Sequence, residues 1–172
     1  MIRSKNALRD GNCFAQQRLG FFEAIYPHKG VRVVVGCNES SFMFFAVELQ
    51  LRLLGEEDRD TLLAANNYAA SLVQLKRFGE AKSLLLKRMP VARRVLGESD
   101  DLTIKMRWTY AKVTYKGDGA TLSDLCEAVA TLAETEQTAR RVLGGAHPLT
   151  GDIGICLRQA RAAQAATLEQ EK

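Results

Sequence analysis

The sequence predicts an all-α fold, a short solenoid of about two and a half antiparallel helix pairs closed by a C-terminal capping helix. Three observations lead there. The hexapeptide ARRVLG occurs twice, at Ala92 to Gly97 and at Ala139 to Gly144. Setting Gly55, Gly97 and Gly144 in register aligns LLGEEDRDT (53–61), VLGESDDLT (95–103) and VLGGAHPLT (142–150), with spacings of 42 and 47 residues. Periods of this size mark stacked structural repeats. Between the glycines, apolar residues recur at helical spacing on one side only, so each helix must bury that side on a neighbour.

Residues 1–40 contain no first helix to pair with the helix at 41–54 and read as an irregular or poorly ordered N-terminal segment. VRVVV at 31–35 has the β-branched character of a short strand, but a lone strand has no partner in a helical stack. The repeat domain spans 41–172, beginning with the long helix of a half-repeat at 41–54. In the first full repeat, 57–97, one helix runs from about Thr61 to Leu75 with Leu62, Ala65, Ala69, Leu72 and Val73 on its apolar side. A second runs from Phe78 to Leu96 with Ala81, Leu85, Met89 and Ala92. In the repeat 100–144 the first helix covers Thr103 to about Tyr115, and the second carries Leu125, Ala128, Leu132, Ala139 and Leu143. The extra residues of this copy fall between Tyr115 and Leu125, in KGDGATLSD, whose glycines mark a loop. The capping helix, 148–168, is rich in alanine, glutamine and charge, with only a narrow stripe at Leu157, Ala160, Ala163 and Leu168.

The joints are explained by backbone chemistry. A glycine after the last apolar position ends a helix cheaply in the left-handed conformation, and Arg93, Arg94, Arg140 and Arg141 in the preceding turn suit the negative end of the helix dipole. Asp60 or Thr61, and Asp101 or Thr103, are expected to cap the next helix. Pro90 interrupts the long helix of the first repeat, which predicts a kink or break between Leu86 and Pro90.

Composition narrows the chemistry. The 172 residues suffice for one domain, and the net charge of +4 is spread along the chain, which argues only weakly for nucleic acid. Cys13, Cys37, Cys126 and Cys156 are far apart and share no ligand spacing with His28 or His147, so no metal site or disulfide framework is indicated. Cys126 and Cys156 read as small packing residues and His147 as part of a helix-start loop. VGCNESS (35–41) lacks the lysine of a phosphate loop. No enzyme, no cofactor and no small-molecule substrate are expected. With no signal peptide or apolar span in view, the expected location is the cytoplasm, organelle import being the alternative for a basic N-terminus.

LGEEDRDTLLAANNYAASLVQLKRFGEAKSLL resembles a tetratricopeptide repeat of the kinesin light chain type, matching at Leu54, Gly55, Asp60, Thr61, Asn66, Asn67, Ala69, Phe78, Glu80 and Ala81. The next copy keeps Leu96, Gly97, Thr103, Ala111, Glu127 and Ala128 but has Trp108 and Thr109 for the two asparagines. The third keeps Leu143, Gly144, His147, Pro148 and Thr150. The resemblance, over about residues 41 to 168, implies a right-handed stack of helix pairs with a concave groove lined by first helices. It also implies that Asn67 faces the groove and hydrogen-bonds an extended peptide, with Thr109 as its shorter counterpart.

The expected function is therefore protein–protein interaction, with a peptide of a partner bound by Asn67 and Thr109, by charge from Lys105 and Arg107, and by the aromatic surface of Trp108. Two alternatives compete: a structural subunit that packs by its repeat surface into a larger assembly, and RNA binding by an arginine stripe at Arg93, Arg94, Arg140 and Arg141. So short an array also leaves open a fragment of a longer one.

Overall fold

In a computed structural model, which describes residues 14–18, 21–26, 31–35, 39–117 and 119–170, Gly55, Gly97 and Gly144 adopt φ angles of 88°, 86° and 90°. These are the left-handed values the repeat spacing predicts, and a side chain there would cost about 1 kcal/mol or more. Each glycine closes a helix: Gly55 N–H donates to the Leu51 carbonyl, Gly97 to Arg93 and Gly144 to Arg140, at 3.1, 3.1 and 3.2 Å.

The chain divides into two units, Met1–Ala46 and Val47–Lys172. In the first, β1 (Phe14–Arg18), β2 (Phe21–Tyr26) and β3 (Val31–Val35) form an antiparallel sheet in the order β1-β2-β3. Phe14 pairs with Ile25, and Tyr26 with Val31. The strand expected at 31–35 is present, and it is not alone: aromatic and β-branched residues of FFEAIY supply the partner that a helical stack lacks. Of the rest of the segment read as irregular, Glu39 and Ser40 already belong to a helix, and the other residues, with His28, Cys13 and Cys37, lie outside the described ones.

From Glu39 on every described element is a helix: α1 (Glu39–Leu54), α2 (Arg59–Gln74), α3 (Phe78–Leu96), α4 (Asp101–Lys116), α5 (Leu122–Val142) and α6 (Pro148–Gln170). None of the described helices is long and apolar enough to cross a membrane. Consecutive helices pack on each other from α2 to α6, and α4 also touches α2 and α6. Alanines at the contacts, Ala65, Ala69, Ala81, Ala92, Ala111, Ala128, Ala139 and Ala160, are fully buried and permit close approach, while Leu62, Leu72, Leu85, Ile104, Leu132 and Ile153 fill the space between. Central α4 is buried on most of its circumference, from Leu102 to Thr114.

Helix starts depart from the sequence expectation by a fraction of a turn. Asp58, not Asp60 or Thr61, caps α2, its carboxylate accepting the Asp60 N–H at 2.9 Å; Asp100, not Asp101 or Thr103, caps α4 through the Leu102 N–H at 2.8 Å. Both capping aspartates have the extended backbone that a cap needs. At α6, His147 Nδ1 accepts the Leu149 N–H at 3.2 Å. The repeated threonines Thr61, Thr103 and Thr150 therefore sit three residues after the cap and turn inward, all buried. Only Thr150 shows why the spacing to glycine matters, since its hydroxyl donates to the Gly144 carbonyl at 3.0 Å and ties one helix start to the preceding stop.

α3 does not break at Pro90 but continues from Phe78 to Leu96. Leu86, whose carbonyl loses its partner, and Pro90 itself are both exposed, so the bond that proline removes lies on the open side of the helix. The loop expected within KGDGATLSD links α4 to α5, and Thr121 with Asp124 forms a reciprocal capping box at the start of α5.

Candidate functional site

Because α2 and α4 pack side by side, residues that recur every three or four positions along each of them come to share one face. Between them, and reaching Leu149 at the start of α6, lies a cavity of about 290 Å³. α2 contributes Asn66, Val73 and Gln74; α4 contributes Lys105, Trp108, Thr109 and Lys112. The lining holds two cations and no carboxylate.

Trp108 is held from two directions. Its Nε1–H donates to Cys156 Sγ on α6 at 3.2 Å, and the Lys112 ammonium stands 4.4 Å from the ring centroid. Lys105, one turn earlier, pairs with Asp101 at 3.1 Å, and Asp101 also accepts from Arg59 at the start of α2. Burial pushes the Asp101 carboxyl up, but the Lys105 ammonium and the Arg59 guanidinium outweigh it and hold the group below its usual range. Arg59 bonds Asp100 as well, at 3.3 Å, so this cluster fixes the start of α2 against the start of α4.

Of the residues named from sequence, Lys105, Trp108 and Thr109 line this cavity. The Thr109 hydroxyl donates to the Lys105 carbonyl at 2.9 Å, so its proton is used within its own helix. Asn67 is exposed and not part of the lining; its backbone carbonyl accepts the Ser71 hydroxyl at 3.2 Å. Arg107 points elsewhere. Its side chain, 9% exposed, bonds Glu134 on α5 at 2.8 Å and Glu98 before α4 at 3.4 Å.

The residue that sequence reasoning missed is Asn66. It is 7% exposed, it lines the cavity, and its Oδ1 has no hydrogen-bond partner. A buried acceptor without a donor costs about 1–3 kcal/mol, so one that persists calls for an explanation. The signal was present in the alignment: Asn66 stands in register with Trp108, and both line the same cavity.

A larger cavity of about 470 Å³ lies by the turn between α2 and α3, where Arg77 pairs with Glu80 at 2.6 Å and Lys82 with Asp124 at 2.9 Å, and Lys76 also lines it. Bonds from Lys82 and Thr121 hold Asp124 down at about 2. Of the four register arginines, Arg93 pairs with Glu98, Arg94 with Glu57 and Arg140 with Glu136. Cys156 is buried as expected, whereas Cys126 is exposed and accepts from Gln164 Nε2 at 3.0 Å, which corrects its reading as a packing residue. Among the described residues no three His, Cys, Asp or Glu side chains gather as metal ligands. No family model matches the sequence, and no curated protein matches it significantly.

Proposed function

We propose that the helical unit is a cytoplasmic interaction module of tetratricopeptide type, not an enzyme, whose α2 and α4 take an extended segment of another protein. Several features support this reading. Helices two apart in sequence, α2 with α4 and α4 with α6, pack side by side, while α3 and α5 pack on the helices before and after them. That order is what stacked helix pairs require. The register of Gly55, Gly97 and Gly144, shared by sequence and backbone, points the same way.

The single observation that carries the functional part is the cavity between the two first helices, lined by Asn66, Trp108, Lys105 and Lys112 and by no carboxylate. An extended backbone offers hydrogen-bond groups to the polar side chains of such a lining. The arginine stripe gives RNA little to hold, since three of its four members are matched by glutamates. Selection of a random peptide library on the full chain tests the reading. Peptides with a shared pattern should be enriched by the wild type and by a Lys87→Glu control, and lost with Lys105→Glu. Enrichment that survives Lys105→Glu unchanged, or no enrichment at all, overturns the proposal.

A further inference from the structure

A second pattern on α4 continues past the α2–α4 cavity toward α6. Trp108 and Tyr115 stand seven residues apart, about two turns and about 10 Å along the helix, and both are partly buried against the core cluster. Each ring is tied by its polar edge to α6. Trp108 Nε1–H donates to Cys156 Sγ at 3.2 Å, and the Tyr115 hydroxyl donates to Gln159 Oε1 at 3.1 Å. Each ring also has its own lysine, with Lys112 Nζ 4.4 Å from the Trp108 centroid and Lys116 Nζ 5.7 Å from that of Tyr115. Neither lysine makes an ion pair among the described residues. With their hydrogen-bonding edges engaged, the rings have only their faces to offer a ligand.

We propose that this side of α4 binds single-stranded RNA: two bases stack on Trp108 and Tyr115, and the phosphates beside them take the ammonium groups of Lys112 and Lys116. The inference goes beyond the peptide reading above. A surface that repeats one ring face and one free cation matches a polymer that repeats one planar base and one anion, and a polypeptide has no such repeat. Each ammonium exchanges a ring face for a phosphate, and counterions released from the strand favour the exchange. The distance between the rings selects the strand. Bases stacked on each other about 3.4 Å apart cannot both meet rings about 10 Å apart, so they must be splayed, which unpaired RNA permits and a duplex does not. Every base has a π-face, so such a site senses the unpaired strand and not its sequence.

Trp108 is the only tryptophan, so its emission in the full chain reports this site alone. The probes are octauridylate and an abasic ribose-phosphate chain of the same length. Octauridylate should quench Trp108 emission and bind about a hundredfold more tightly than the abasic chain, about tenfold for each stacked base. Tyr115→Leu should lower that preference to about tenfold. Lys112→Gln combined with Lys116→Gln should make the slope of log affinity against log salt shallower by about 1.4, about 0.7 for each lost phosphate contact. These two lysines lie outside the core, so the slope still reads binding if Tyr115→Leu disturbs the fold. Equal binding of the two probes, octauridylate binding without quenching, or a salt slope unchanged in the double variant overturns the proposal. The peptide reading survives each of these results, because its library test turns on Lys105.

Discussion

Replacing Leu132 by alanine tests whether α5 is the shared wall between its two neighbours. Leu132 is fully buried at 0% exposure and belongs to one cluster with Ile104 and Ala111 of α4 and Ile153 and Leu157 of α6. Truncation removes about three methylene equivalents, worth about 2.4 kcal/mol at about 0.8 kcal/mol each. Helices on both sides are held by their other contacts and close the gap only in part, so the cavity raises the loss to about 4 kcal/mol. For a chain of this size that lowers the melting temperature by about 8–16 °C. Leu86→Ala on α3 is the matched control. At 49% exposure it forfeits about half the transfer term, about 1 kcal/mol, and leaves no cavity. Urea denaturation of the full chain, followed by far-ultraviolet circular dichroism, measures both. Losses that agree within about 0.5 kcal/mol would refute the placement of Leu132 between α4 and α6.

Three further outcomes rest on local chemistry. Asp58→Ala and Asp100→Ala should each cost about 1 kcal/mol in the same denaturation assay, the usual loss when a capping side chain is removed. Pro90→Ala should raise stability by about 1–3 kcal/mol, because it restores a backbone bond to the Leu86 carbonyl in a helix that is already continuous. Burial, and then the bond to Glu127 at 2.7 Å, pushes the Tyr110 hydroxyl up to about 12. The folded state thus holds this proton more tightly than the unfolded chain, whose tyrosines ionise near pH 10. Stability should be fully present below pH 10 and fall as pH rises toward about 12, and Tyr110→Phe should flatten that part of the profile.

Features set by neighbouring residues were legible in the sequence. Gly55, Gly97 and Gly144 end helices because a left-handed residue is needed within a few positions of the last apolar side chain, and their φ angles show it. The stripes at Ala81, Leu85 and Ala92 and at Leu125, Leu132 and Ala139 are buried as their spacing requires. Choices among adjacent candidates were not legible. Asp58, Asp60 and Thr61 all have capping side chains, and the choice of Asp58 turns Thr61 into the buried interior. A proline in a helix removes a bond wherever it occurs, yet whether Pro90 breaks α3 depended on the exposure of Leu86. Two of the three N-terminal strands, Phe14–Arg18 and Phe21–Tyr26, escaped notice because they lack the β-branched run that marks Val31–Val35.

The candidate site divides in the same way. From sequence alone came the repeat register, the helix that carries Lys105, Trp108 and Thr109, and the side-by-side position of its counterpart in α2. Only the tertiary structure decided which of two consecutive asparagines enters the cavity, and that Arg107 serves Glu98 and Glu134 instead. Successive residues on a helix point about 100° apart, so the roll of α2 and α4 against each other assigns Asn66 to the cavity and Asn67 to the exposed surface. That roll is set by buried side chains from several helices at once, which no local pattern contains.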